Sequence, residues 1–316
     1  MPPAIGDDTR RSRRLLSRNF CRRQIKRSMK VGKKGRTNPI TGKHVGPVRG
    51  GHIGPKHTKR IIRRHHNLLK QKTRLEAEIE QSGSSSDSVK QRELERIAEE
   101  IEKNGGIEKY QQASIAGQDP TRGGDSSKIL VEWLKEEQSM NRKNLRLLEV
   151  GCLSPNNVVS KCGVFSEIDR IDLNSQHPLI KQQDFLTMPV PELEKDKYDV
   201  ISLSLVVNYV SDKNDRGRML KLTTEFLSTR LKDSQFYPSL FLVLPAPCIT
   251  NSRYFTEKQL NLIMSSLGYE LVRRKETPRI IYWLWKFTGR KQPNRKFKKQ
   301  ILNDGKSRNN FSITLQ

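Results

Sequence analysis

No run of apolar residues in this 316-residue chain approaches the roughly 18 to 20 needed to span a bilayer, so no membrane helix is expected. The opening stretch, MPPAIGDDTRRSRR, has no apolar segment after its basic residues and lacks the form of a secretory leader. Cysteine is scarce. Cys21, Cys152, Cys162 and Cys248 are scattered without C-x-x-C pairing, and a reduced, intracellular protein is the natural expectation. Metal-ligand spacing is missing too: His44, His52, His57, His65 and His66 lie among lysines and arginines with no two-plus-two arrangement, so no metal is expected. Only 34% of residues are hydrophobic against 30% charged, which leaves a substantial part of the chain outside any packed core.

What is abundant is positive charge, and it is unevenly placed. The net charge is +26. Residues 1–75 hold 23 Lys and Arg against Asp7 and Asp8, and residues 286–316 hold nine against Asp304. The stretch between them is slightly acidic. A basic extension beside a near-neutral domain is the footprint of polyphosphate binding, in which each neutralised phosphate releases a counterion. Basic clusters also serve as a nuclear or nucleolar address, and the two readings are compatible. A membrane-surface role fits less well, because the arm lacks the Trp/Phe/Leu face of an interfacial helix.

The pattern along the chain divides it into a basic arm (1–81), a linker with a charged helix (82–106), a catalytic domain (107–289) and a basic tail (290–316). Within the arm, 10–30 suits a basic helix, 32–57 is rich in glycine and proline and suits an extended segment, and 58–80 is helical again. SGSSSDS at 82–88 has linker composition, and 89–103 is a charged amphipathic helix stopped by Asn104, Gly105 and Gly106. Beyond 107, helix and strand alternate. A helix is expected over 127–140, strands over 146–150, 164–171, 198–205 and 240–244, and helices over 216–232 and 256–267. The last two strands, 269–275 and 280–287, are separated only by a turn at Thr277-Pro278, which permits a hairpin and excludes a helical crossover. The expectation is an α/β fold: a Rossmann-like, mostly parallel sheet with one antiparallel strand near the C-terminus, as in class I methyltransferases. Trp283 and Trp285 share one face of the last strand and are expected in the core.

The chemistry concentrates at strand ends. In L-R-L-L-E-V-G-C-L-S (145–154) a hydrophobic strand ends in Glu149-x-Gly151, where an open α/β sheet binds its ligand and a glycine lets the backbone approach it. Cys152 and Leu153 stand where a second glycine is usual, so an ordinary strand-to-loop glycine is the competing reading. The run VFSEIDRIDLN (164–174) ends in Asp172, 21 residues on, placed to accept ribose hydroxyls; Asp169 competes for that role. Gln183-Asp184-Phe185 lies where an acidic and an apolar residue would meet an adenine, although Asp184 equally suits a solvated loop. These three elements suit a dinucleotide as well as S-adenosylmethionine. The strand Y-D-V-I-S-L-S-L-V-V-N-Y-V (198–210) separates them, because it ends in the polar-aromatic pair Asn208-Tyr209 at the position that faces the transferable methyl group in methyltransferases acting on nucleobases.

Taken together, the Gly151 loop, Asp172, S-L-V-V-N-Y-V, L-V-L-P-A-P-C-I-T-N-S-R-Y, W-L-W-K-F and the arm's G-P-x-R-G-G-H-I-G-P resemble the 25S ribosomal RNA adenine-N1-methyltransferase family, over about Tyr110 to Phe287 and part of the arm. The resemblance implies S-adenosylmethionine as donor, adenine N1 of large-subunit rRNA as acceptor, a nucleolar location, and cofactor contacts at Gly151 and Asp172. It also implies a caution, since animal relatives serve as cofactor-sensing proteins; a non-catalytic sensor and an assembly factor with a vestigial domain are the alternatives. Adenine N1 needs no deprotonation before methylation, so no general base is expected. Tyr209 is the candidate for stacking on the base and Asn208 for reading its edge, with packing under the sheet as the alternative for Tyr209. Asn251, Arg253 and Tyr254 are second candidates, with turn capping as the alternative. A monomer acting on the pre-ribosome is expected.

Overall fold

A computed structural model describes residues 55–82, 88–117, 124–136, 144–175, 177–231, 234–292 and 295–316, which belong to one compact unit, Ile53–Gln316. The elements expected over 10–30 and over most of 32–57 lie outside the described residues, as do the centre of the 82–88 linker and the end of the 127–140 helix.

The helices are α1 (Pro55–Ser82), α2 (Ser88–Lys103), α3 (Gly106–Gly117), α4 (Ser127–Glu136), α5 (Lys213–Phe226), α6 (Pro247–Thr250) and α7 (Glu257–Ser266). The strands are β1 (Leu145–Val150), β2 (Phe165–Asp172), β3 (Lys181–Gln182), β4 (Val200–Ser204), β5 (Ser239–Pro245), β6 (Tyr269–Glu276) and β7 (Ile280–Phe287). They form one sheet in the order β3-β2-β1-β4-β5-β7-β6. The first five strands pair in parallel, and β7 runs antiparallel to both β5 and β6. This is the mostly parallel α/β sheet with one reversed strand that the Thr277-Pro278 turn predicts; there the Thr277 N–H donates to the Ile280 carbonyl at 2.9 Å. The two-residue β3 has no apolar alternation and was not legible in the sequence.

Both faces of the sheet are covered, because strand side chains alternate and each set finds its own helices. Leu145 and Leu147 pack with Leu130, Val131 and Leu134 of α4. Leu148 and Val150 belong to the opposite layer, with Leu220 of α5 and Leu260 and Ile263 of α7. Trp283 and Trp285 lie fully in that second layer, as their shared face predicts. Each large apolar side chain buried this way contributes roughly 1.5–3 kcal/mol.

Some elements differ from expectation: α5 runs over Lys213–Phe226 rather than 216–232. β4 stops at Ser204, so Asn208 and Tyr209 sit in the turn beyond the strand rather than at its end. The reason is Leu205, whose φ of 58° breaks the extended conformation although the apolar run continues. Before the sheet, α1 and α2 match the two helices expected over 58–80 and 89–103, but α3 was not anticipated. It packs on α1 through His65 and Tyr110, whose rings stack at 4.6 Å.

The C-terminal stretch, set apart in the sequence by its charge, closes onto the domain. Phe297, Phe311, Ile313 and Leu315 are buried in the main core, and Phe297 and Leu315 exchange backbone hydrogen bonds of 2.7 and 3.1 Å. Arg216 of α5 holds the strap: its guanidinium donates to the carbonyls of Ser312 (2.6 Å), Val210 (2.8 Å) and Ser211 (3.2 Å) and lies over the Phe311 ring. Gly217 makes the approach possible, since a Cβ there would fall 1.8 Å from the Thr314 carbonyl oxygen. Gly217→Ala therefore decides between two effects of opposite sign. Helix propensity alone would stabilise by up to about 1 kcal/mol, whereas displacement of the strap costs about 1–3 kcal/mol. Thermal melting should show a lower Tm; a raised Tm would mean that the strap does not bear on α5.

Candidate cofactor and acceptor site

The site grows from the carboxyl ends of β1, β2 and β4. β1 lies between the other two in parallel register, with Val150 opposite Ile171 on one side and Leu203 on the other. At this edge the chain makes two left-handed turns. Gly151 has φ 73°, and a Cβ there would stand 2.6 Å from Cγ2 of Val206, so glycine is required on both counts. Leu205 takes φ 58° at a cost of about 1–2 kcal/mol for a residue with a side chain, a strain of the kind that persists where a site demands it. Its N–H donates to the Val243 carbonyl at 3.0 Å, and that of Tyr209 to the Val206 carbonyl at 2.8 Å. The second turn thus lays Val206 against Gly151 and puts Asn208 and Tyr209 on the same edge.

Glu149 is half-buried in the strand beneath. Its Oε1 accepts from Asn157 Nδ2 at 2.5 Å, and its Oε2 has no partner among the described residues. Burial pushes this carboxyl above the usual range. Asp172 closes β2. Its Oδ1 accepts the Asn174 N–H at 2.8 Å and faces Gln111 Nε2 of α3 at 3.4 Å, and burial raises its pKa. Asp169 is not at the edge: it pairs across from Leu148 in mid-strand and accepts from the Tyr198 hydroxyl at 2.6 Å, with Arg146 3.5 Å away. Of the two aspartates, only Asp172 is placed at the strand end. Asp184 caps a short 3-10 turn by accepting the Leu186 N–H at 2.8 Å. The Phe185 ring is 2% exposed and packs on Phe226 in the core.

Beside Tyr209 a cleft of about 570 Å³ opens between α1, the turn after β4, the start of α5 and the C-terminal strap. Its walls are strongly basic: Arg63 and Lys70 of α1, Lys213 and Arg216 of α5, and Lys299, against the single acid Asp212. Within it stands an aromatic cluster. The Tyr209 ring lies 4.3 Å from His66 of α1, and Tyr110 of α3 meets both edge-on at 6.0 and 5.7 Å. Burial raises both phenols. Two buried polar atoms of cleft residues have no partner among the described residues, Asn208 Oδ1 and His66 Nε2. Burial, then Lys70, then His65 lower the His66 pKa to about 4, so its ring is neutral at pH 7.

His66, Tyr110 and Gln111 were missed in the sequence. The adjacent histidines had been weighed only as metal ligands; their placement on a helix that returns to the sheet edge is a long-range contact. The second acceptor candidates turn out to hold the strap. Asn251 caps α6, its N–H donating to Pro247 O at 3.1 Å. Arg253 donates through its backbone to Asn309 O (3.0 Å) and through Nη2 to Gly305 O (3.1 Å). Tyr254 lies under Lys299, 4.0 Å from its ring centre.

The family model described as 25S rRNA (adenine(2142)-N(1))-methyltransferase, Bmt2, matches residues 95–313. A Schizosaccharomyces pombe protein named 25S rRNA adenine-N(1) methyltransferase is 41% identical over 259 residues, 80% of this chain and 90% of that protein. A Saccharomyces cerevisiae protein named 25S rRNA (adenine(2142)-N(1))-methyltransferase is 39% identical over 220 residues, 69% of this chain and 63% of that protein. Among solved structures, an S-adenosylmethionine-dependent methyltransferase from Clostridium acetobutylicum aligns with a TM-score of 0.40 at 12% identity, over 56% of this chain and 98% of that one.

The buried imidazole sets a pH dependence. The folded pKa of His66 lies below the ordinary 6.5, so the unfolded chain takes up the proton first. Stability present above pH 6.5 is lost as pH falls toward 4, by at most about 3 kcal/mol. His66→Phe keeps a ring beside Tyr209 and removes the titration. Denaturant midpoints between pH 7.5 and 5 should fall less in this variant than in wild type, and parallel curves would refute a neutral buried His66.

Proposed function

We propose that this site sets S-adenosylmethionine against an unpaired adenine of large-subunit rRNA, because the chain belongs to the family of 25S rRNA adenine-N(1)-methyltransferases. The protein is an S-adenosylmethionine-dependent methyltransferase acting on N1 of an rRNA adenine. The observation that carries the site assignment is the contact of Val206 with Gly151, which joins the glycine turn to the Asn208-Tyr209 turn at one edge of the sheet.

The residues fit the cofactor. Gly151 holds the left-handed turn at the strand end with Val206 packed where a Cβ would stand, and the Glu149 Oε2 beside it offers an acceptor suited to a cationic amino acid moiety. Asp172 accepts the ribose hydroxyls, and Asp184 with the turn at Phe185 borders the adenine. Since the Phe185 ring is committed to the core, the turn's backbone is the part a purine meets. When bound, S-adenosylmethionine supplies an electrophilic methyl group. The protein's part is alignment. Adenine N1 holds an in-plane lone pair once the base leaves its helix, so no proton has to be removed and no tuned base is required. Unpairing costs a few kcal/mol, offset by stacking of about 1–3 kcal/mol on Tyr209 and by the exocyclic amine donating to Asn208 Oδ1. The methylated base is a cation, and the neutral His66 ring adds no like charge beside it.

The basic arm supports a further part of the reading: the enzyme works on pre-ribosomal particles in the nucleolus.

The test is transfer of labelled methyl from S-adenosylmethionine to an unmodified large-subunit rRNA transcript, with the product nucleoside identified by mass spectrometry. Wild type should yield 1-methyladenosine. Gly151→Arg should lose cofactor binding by calorimetry at a temperature where it is still folded, with a Tm lowered by the strained turn. Asn208→Ala and Tyr209→Ala should keep cofactor affinity and near-normal melting while losing about 100-fold in rate, as misalignment of reactants does. A Tyr209→Ala variant that instead loses about 3 kcal/mol or more of stability, with activity falling in step, would make that ring structural. Normal rates in both variants would remove the acceptor assignment.

A further inference from the structure

Arg60, Arg63, Asn67 and Lys70 follow one another along α1 at intervals of three and four residues, which puts them on one face over about 15 Å of helix. Arg63 and Asn67 form a wall of the acceptor cleft. The same two residues also line a second cleft of about 420 Å³ between α1 and α2, together with Arg60, Arg64, Arg96 and Glu100. The two clefts are therefore neighbours across a single ridge of α1.

The charge of this surface is unbalanced. Glu100 pairs with Arg64 at 3.0 Å, and Arg96 pairs with Glu93 at 2.7 Å; the Arg96 pair is solvent-exposed and contributes little, so a phosphate can take the place of Glu93. Arg60 and Arg63 meet no acidic side chain among the described residues. On the acceptor side, Lys70 has no acidic neighbour either, and burial together with Arg216 lowers its pKa. Like charges three or four residues apart on a helix repel. Guanidinium groups match phosphate oxygens in a two-pronged geometry, so a strand of phosphates supplies the counter-charge that the protein lacks. The target base must be unpaired to expose N1, so the nucleotides next to it leave the duplex with it.

We propose that the ridge of α1 is a phosphodiester track: single-stranded rRNA flanking the target adenine passes from the acceptor cleft over Arg63 into the α1–α2 groove, its phosphates held by Arg60, Arg63 and Arg96. The track rests on the rRNA methyltransferase reading of the acceptor cleft, and the test separates the two.

The probe is a short transcript carrying the adenine that the wild-type protein methylates. Its dissociation constant is measured across a range of salt for wild type, for Arg60→Gln/Arg63→Gln/Arg96→Gln, and for Arg290→Gln/Lys296→Gln/Lys298→Gln. The control triple removes the same charge from exposed residues that line neither cleft. Glutamine is a good helix former, so α1 should persist in the first triple; melting and S-adenosylmethionine affinity verify this. A single-stranded contact contributes about 0.7 to the slope of log affinity against log salt, so the track triple should lose about 2 units of slope. The KM for RNA should rise at least tenfold with cofactor affinity unchanged, and the control triple should stay within about half a unit of wild type. If the first triple unfolds, Arg63→Gln alone should lose about 0.7 of slope. A track triple with wild-type slope, or a control that loses as much, would overturn the track while wild-type methylation leaves the enzyme reading standing. A wild-type protein that transfers no methyl at all would remove that reading and the track with it.

Discussion

The carbonyl oxygen of Ile171 accepts two backbone N–H groups, from Gly151 at 2.8 Å and from Cys152 at 3.1 Å. That double acceptance ties the end of β1 to the end of β2 and holds Gly151 in its left-handed turn. The candidate site is hung from this point. Glu149 stands two residues before Gly151, Asp172 follows Ile171 directly, and the absent side chain of Gly151 is what lets Val206 approach. Because β4 lies on the other side of β1, its left-handed exit at Leu205 delivers Asn208 and Tyr209 to the same edge. Parallel pairing with aligned register is thus what sets cofactor-side and acceptor-side groups together.

Around this edge the electrostatics are layered. The walls of the acceptor cleft carry Arg63, Lys70, Lys213 and Lys299 against one aspartate, with Arg216 buried beneath the strap, a balance suited to a polyanion. The ring cluster at its base is uncharged: burial depresses His66 and raises Tyr110 and Tyr209. In the proposed reading, phosphates meet the rim while the base meets a neutral stack. The arrangement also explains why the reaction needs no tuned base, since N1 attacks from its own lone pair and the surroundings have only to position it.

The sheet was legible because β1, β4 and β5 are short apolar runs, because the helices α5 and α7 follow β4 and β5, and because two residues at Thr277-Pro278 leave room only for a hairpin. Gly151 and Asp172 were legible as a spacing, and Trp283 and Trp285 as a shared strand face. Other features resisted reading for physical reasons. S-L-V-V-N-Y-V looks like uninterrupted strand, and nothing in its composition announces the positive φ at Leu205. His66, Tyr110 and Gln111 reach the site only because α1 and α3 fold back on the sheet, a contact between residues far apart in sequence. The strap's lysines and arginines masked Phe297, Phe311, Ile313 and Leu315, whose burial depends on a glycine in a distant helix.

The central claim is that the turn after β4 and the inner face of α1 together receive the target adenine. Ultraviolet cross-linking of a short substrate RNA to the full chain, in the presence of S-adenosylhomocysteine, tests it most directly, with the attached peptides mapped by mass spectrometry. The account predicts that the target nucleotide is found on Tyr209 or on the peptide containing His66. Attachment of that nucleotide to the Tyr254 region, with none at 205–213 or on α1, would contradict it.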